Sequence, residues 1–276
     1  MHMTSVELGE ERNLHALALR CLRIADPDEK CVFTARIAAA WRDGALTLDA
    51  SPPVEALVEP GRPARPELVP PGQVARRGYA NDRERAVLLH ALAHIEFNAV
   101  NLGWDAVFRF RGLPTAYYDD WVGVAADEAR HFLLLRERLR EYGHEYGDFS
   151  AHNGLWEMAL NTADDVVARM ALVPRVLEAR SLDVVPGIVR KLRGIGDHAS
   201  AEVLELIERE EVAHVAAGSR WFRYACELGG LEPVATFKAL IEKYMKGRIK
   251  GPFRMEARRA AGFDADEITL LEELGG

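Results

Sequence analysis

Glu128-Ala129-Arg130-His131 and Glu211-Val212-Ala213-His214 each place a carboxylate three residues ahead of an imidazole, in stretches that read as helix. Positions i and i+3 share a helical face, so each pair can grip one metal ion. The pair alone carries little weight. A third match, Glu141-Tyr142-Gly143-His144, straddles an expected helix end and reads as chance. Two further glutamates make the pattern specific. Glu96 and Glu128 are centred on Gly112, in an expected turn, and Glu178 and Glu211 are centred on Gly194–Ile195, in the expected turn Arg193-Gly194-Ile195-Gly196. Residues equidistant from the turn of an antiparallel hairpin lie at one height. Each hairpin therefore offers a lone Glu beside a Glu-x-x-His, and the two together offer four carboxylates and two imidazoles. That is the donor set of di-iron and di-manganese carboxylate bundles.

Charge agrees with this reading. Four buried carboxylates without counterions would be driven toward protonation, whereas two divalent ions balance them. Oxygen and imidazole donors suit iron or manganese, and the lack of thiolates in the set argues against structural zinc. The expected ligands are Glu96, Glu128, His131, Glu178, Glu211 and His214, holding two iron ions, with manganese or a mixed Fe/Mn pair as the alternative. Glu128 and Glu211 are the expected bridges. Asp127, Arg130 and Glu210, beside the motifs, could orient the ligands. Glu157 lies too far along its helix to join them. His90 and His94 are not squarely on the face of Glu96 and read as outer or structural groups. Trp104, Trp121, Trp156 and Trp221 read as packing.

Long helices are needed to carry these groups. The prolines between residues 52 and 71, in SPPVEALVEPGRPARPELVPPG, exclude a long helix or central strand, so this stretch reads as an extended connector. Before it, helices are expected over about 5–24 and 28–43, the second with Asp26 as N-cap and Pro27 at its first position. After it, Asn81 with Glu84 resembles a capping box and opens a helix to about Phe110. Further helices are expected over about 115–142, 153–183, 197–228 and 232–246, with Pro174 interrupting the second of these and Pro186-Gly187 stopping it. The link Gly143–His152 could reach roughly 33 Å if extended, close to a crossover between parallel neighbours. Strand-type alternation is absent, and the expected class is all-α. The expected organisation is N-terminal helices and connector over 1–80, a four-helix bundle over 81–228, and a C-terminal helix with a basic tail over 229–276.

Composition bounds the function. The chain has 276 residues, 49% hydrophobic and 28% charged, with a net charge of -8. These values exclude dominant disorder. No apolar stretch of about 18 residues marks a membrane span, and the acidic start MHMTSVELGEERN does not read as a signal peptide. Cys21, Cys31 and Cys226 are odd in number and scattered, which points to a reducing cytoplasm. Lys238–Arg259 is locally basic, opposed only by Glu242 and Glu256; this reads first as a solvated tail and second as an RNA contact.

The segments HALAHIEFNAVNLGWDAVFRF, DEARHFLLLRERL, LVPRVLEARSLD and EVAHVAAGSRWF resemble a bacterial ferritin-like family of unassigned function. It is grouped near di-iron hydroxylases that act on a modified adenosine in tRNA. The likeness extends to the connector and to GPFRMEARRAAGF. It implies a ferritin-like fold and the ligand role for the same six residues, but supplies no reaction. The leading expectation is an oxygen-dependent oxidoreductase or hydroxylase, using dioxygen, a small-molecule or tRNA substrate and an electron-donor protein. The alternatives are a ferroxidase or iron-handling protein, and a non-catalytic scaffold. Val100, Val124, Leu135 and Ala217 are the expected walls of a substrate pocket, with the N-terminal helices and connector at its entrance.

Overall fold

The computed structural model describes residues 7–49, 53–247 and 249–275. The expected helix start near residue 5, Pro52 of the connector and Arg248 of the basic stretch lie outside them. Among the described residues the class is all-α, with only two isolated bridges, Asn13 with Thr47 and Leu68 with Ala151. No described helix is long and apolar enough to cross a membrane. The chain divides into two compact units, Met1–Trp156 and Glu157–Gly276.

The first unit is built on a hairpin with two helices laid against it. Helix α1 (Leu14–Arg23) starts later than expected, because the Asn13 side chain accepts from His15 N and Ala16 N and so fixes the first turn. Helix α2 (Pro27–Arg42) begins as read, with Asp26 capping Glu29 N and Pro27 at the first position. Helix α3 (Asp82–Arg109) opens on Asn81, whose side chain accepts from Glu84 N at 2.9 Å. Glu84 reaches back to Ala80 N at 3.1 Å, one residue off a true capping box. Gly112, at φ 71°, turns the chain into α4 (Thr115–Glu141). Helices α3 and α4 pack along their length, α1 rests on α3 and α2 on α4. The contacts bury Leu17, Phe33, Ile37, Trp104 and Trp121.

The connector lies on this unit as expected. Val69 N donates to Ala151 O at 2.8 Å, Ala151 N to Glu67 O at 2.9 Å, and Trp156 Nε1 to Val58 O at 2.8 Å. The segment after α4 is not an extended crossover. His90 Nε2 accepts from Gly147 N at 3.0 Å, while His94 bonds Tyr146 Oη at 2.9 Å and the His152 carbonyl at 3.1 Å. These bonds hold the loop against α3. His90 and His94 are therefore structural groups.

The second unit departs further from expectation. The long helix read over 153–183 is broken into α5 (Gly154–Asn161), which contains the boundary between the units, α6 (Val166–Leu172), a π turn over Val173–Glu178, and the first turn of the helix that follows from Arg180. Asp165 caps α6 through Ala168 N, which breaks the chain between the first two pieces. The π turn follows from Pro174, which lacks an N–H and whose ring crowds the carbonyl four residues back. The ladder widens, and Ala179 N donates to Pro174 O at 2.9 Å.

Helix α7 (Arg180–Gly194) then runs through Pro186, so the expectation that Pro186-Gly187 ends the helix is corrected. A mid-helix proline costs about 3 kcal/mol. Leu182, Val185, Val189 and Leu192 are buried on the face packed along α8 (His198–Leu228), and burial stabilises by about 1.5–3 kcal/mol per large aliphatic side chain. Helices α9 (Pro233–Met245), α10 (Met255–Ala260) and α11 (Ala265–Leu274) complete the unit. The last two replace the expected tail, and α11 opens with a capping box between Asp264 and Glu267.

Candidate metal centre

In the first unit, Glu96 sits mid-α3 and Glu128 and His131 lie one turn apart on α4. The hairpin register brings them together as the centring on Gly112 requires. His131 Nδ1 is 3.4 Å from Glu128 Oε2 and 3.8 Å from Glu96 Oε2. One donor atom from each of the three lies within 4.8 Å of the others. All three are buried, with His131 at 0% exposure and Glu128 at 1%. Phe97 and Phe132, the neighbours of Glu96 and His131 in sequence, pack ring to ring at 5.2 Å.

The second unit repeats the elements of this arrangement. Glu178 closes the π turn, and Glu211 and His214 stand one turn apart on α8, with His214 Nδ1 3.5 Å from Glu211 Oε1. All three are buried. Ser181, on the first turn of α7, was not legible from the sequence. Its Oγ lies 2.8 Å from Glu178 O and 3.3 Å from Glu211 Oε2, so its single proton can go to either. No spacing rule marks a serine for that role.

The electrostatics of the first triad fit a cation. Burial pushes the His131 imidazole down, but hydrogen bonding and attraction to Glu128 and Glu96 more than offset it, and the group is raised to about 11. The two buried carboxylates thus favour a positive charge beside them. A divalent ion answers the same need with hard oxygen and imidazole donors. The set contains no sulfur.

Glu157 and the Glu141–His144 match stand apart from the buried glutamate–histidine groups. Glu157 is exposed. Glu141 pairs with Arg138, and His144 is 3.4 Å from Asp148 and rests on Phe149. Asp127 and Arg130 pair with each other at 2.9 Å, half-exposed. Val100, Val124, Leu135 and Ala217 are core residues. The basic stretch is partly internal: Arg258 is 2% exposed and bonds Asp183 at 2.7 Å, and Arg254 pairs with Glu208. The exposed charge left on it is chiefly Lys238, Lys243, Lys246, Lys250 and Arg259.

Fold and site define an all-α protein with buried glutamate–histidine groups of the kind that can hold a metal ion. The chain belongs to the family described as protein of unknown function (DUF455), whose match spans residues 23–269. It is 43% identical over 219 residues to an uncharacterized protein of Haemophilus influenzae, covering 77% of this chain and 76% of that relative. No solved structure matches it.

Proposed function

We propose that Glu96, Glu128, His131, Glu178, Glu211 and His214 form one di-metal carboxylate centre in a ferritin-like bundle, and that the protein is an oxygen-dependent oxidoreductase of the hydroxylase type. The observation that carries the reading is the repetition: each compact unit contains one lone glutamate and one Glu-x-x-His, all buried. Six donors with four negative charges match two divalent ions, whereas either triad alone leaves an ion short of ligands. Iron is the proposed metal and manganese the alternative.

A bound ferrous pair would supply the electrons that activate dioxygen. The chain's own residues supply the rest. Glu128 and Glu211 would be the bridging carboxylates, and Ser181 Oγ can donate to Glu211 Oε2. The proposed substrate is organic, with an electron-donor protein restoring the ferrous state. A cytoplasmic setting suits the three buried, free cysteines.

The test is metal content followed by oxygen uptake. Protein isolated from iron-supplied cells should carry two iron atoms per chain and consume dioxygen faster when a true substrate is added. Repeated oxidation of added ferrous ion, with many iron atoms retained and no organic substrate needed, would select iron handling instead. A folded chain that binds no divalent metal would leave a scaffold.

A further inference from the structure

Glu178 stands in the least regular part of its helix, and its neighbours on both sides are tied to one segment, Lys250–Glu267. Before it, Arg175 is fully buried within the π turn. The Arg175 guanidinium donates to Glu267 Oε1 at 2.5 Å and to Ser219 Oγ at 3.2 Å. The rings of Phe222, Phe237 and Phe263 enclose it at 4.6, 4.5 and 4.3 Å. After Glu178, Arg180 donates to the carbonyls of Lys250 at 2.6 Å and of Gly251 and Pro252 at 3.2 Å. One turn further, the Asp183 carboxylate accepts from Arg258 Nη2 at 2.7 Å and from Arg254 N at 2.8 Å. Glu267 also accepts from Arg223 at 2.8 Å while closing the cap of α11.

A π turn has poorer ladder geometry than the α-helix around it, so its own backbone bonds define its shape loosely. Buried ion pairs are poor sources of net stability, because desolvation offsets much of their attraction. Their strength is in fixing geometry. Here Arg175–Glu267 and Asp183–Arg258 lie on either side of Glu178.

We propose that the segment Lys250–Glu267 is a positioning clamp for Glu178, with Arg175, Arg180 and Asp183 as its points of attachment, so that docking of the segment and occupancy of the metal centre reinforce each other. The proposal rests on the reading of Glu178 as a ligand. Linkage then makes the effect reciprocal: metal binding must strengthen the docking by the factor by which docking strengthens metal binding.

The test uses the full chain and cobalt(II) as the probe, with Arg180→Ala and Glu267→Gln compared with Glu178→Ala. Hydrogen exchange over 173–183 and 250–267 reports the clamp, and the cobalt absorption spectrum reports the ligand set. In the wild-type chain, cobalt should slow exchange across 250–267. Both clamp variants should exchange faster over 176–183, bind cobalt about tenfold more weakly, and shift the spectrum toward that of Glu178→Ala. Arg180 is a surface side chain, so its variant carries the test if Glu267→Gln does not fold. Faster exchange with an unchanged spectrum and affinity would overturn the clamp and leave a purely structural segment. If the wild-type chain binds no cobalt, the ligand reading fails; unchanged exchange over 176–183 in Arg180→Ala would then overturn the clamp on its own terms.

Discussion

Gly218 meets Pro174 with no side chain between them: a Cβ at position 218 would lie 2.4 Å from both Cβ and Cγ of the proline. The π turn can rest on α8, one turn beyond His214, only because this position is bare. In an ordinary helix interior, glycine to alanine gains up to about 1 kcal/mol. At Gly218 the sign should reverse. Gly218→Ala is expected to lose about 1–3 kcal/mol through overpacking, because the clash is with a rigid ring and not with a flexible chain end. Urea unfolding measures it, and an unchanged or raised midpoint would show that the turn yields freely.

Metal removal should be felt in stability. Binding to the folded state alone adds about 4 kcal/mol at a thousandfold excess over Kd. Chelation should therefore lower the melting temperature, while the metal-free chain remains folded. Glu96→Ala and Glu178→Ala lie in different units, yet each should cost most of the metal bound by the whole chain if the six residues form one centre. Loss of only half the metal in each variant would argue for two separate sites.

The legible and illegible parts of this chain divide on a physical line. Glu96 with Glu128 and His131, and the pair Glu211 and His214, could be read because α3, α4 and α8 are uninterrupted, so sequence spacing converts directly into height and face. Asp26, Asn81 and Gly112 act locally, within a few residues, and they sit where the pattern put them. The helix around Pro174 and Pro186 was harder to read, because the same residue type has two outcomes. At Pro174 the ladder widens into a π turn; at Pro186 the helix continues, supported by a face buried along α8. Only tertiary packing separates the two, and a sequence pattern does not carry it. Helix α11 carries a local signal of the same kind: Asp264 and Glu267 ahead of Ile268, Leu270 and Leu271 are a capping box before an apolar run.

Acid should weaken the first unit through three buried histidines, His15, His90 and His94, each lowered by burial to about 4. Burial, with Arg111 adding to it, lowers His15 from 6.5 to about 4; burial likewise lowers His90 to about 4, with Asp148 opposing and His144 assisting. His90 Nε2 accepts from Gly147 N, which favours the neutral ring, whereas the bond from His15 Nδ1 to Val107 O at 2.9 Å favours the charged form and is outweighed by burial. The unfolded chain therefore binds more protons than the native one between pH 6.5 and about 4. Stability is intact above 6.5 and falls as pH drops through that window, by at most about 1.4 kcal/mol per pH unit for each histidine. Denaturation midpoints from pH 7.5 to 4.5 should show the slope, and His90→Gln, which keeps an acceptor for Gly147 N, should flatten it.

Lys30 should give the opposite end of the pH scale an unusual slope. The side chain is fully buried, and Nζ donates to Gly61 O at 2.8 Å, to Asn101 Oδ1 and more weakly to Leu22 O at 3.5 Å. One ammonium thus joins α1, the connector and α3. Burial lowers its pKa from 10.5 to about 8, with Cys21 and Cys31 opposing the shift. Between pH 8 and 10.5 the native chain has lost this proton while the unfolded chain keeps it, so this group makes stability rise with pH across the window. Below pH 8 both states are charged and its contribution to the slope disappears. Lys30→Met should remove the rise, and it should cost about 1–3 kcal/mol at neutral pH, since it leaves Asn101 Oδ1 and the Gly61 carbonyl without their donor. The measurement is the difference in urea midpoint between the wild-type and Lys30→Met chains, followed from pH 7 to 10.5. A difference that shrinks as pH rises would show that Lys30 stays charged in the folded chain and that its three acceptors outweigh its burial.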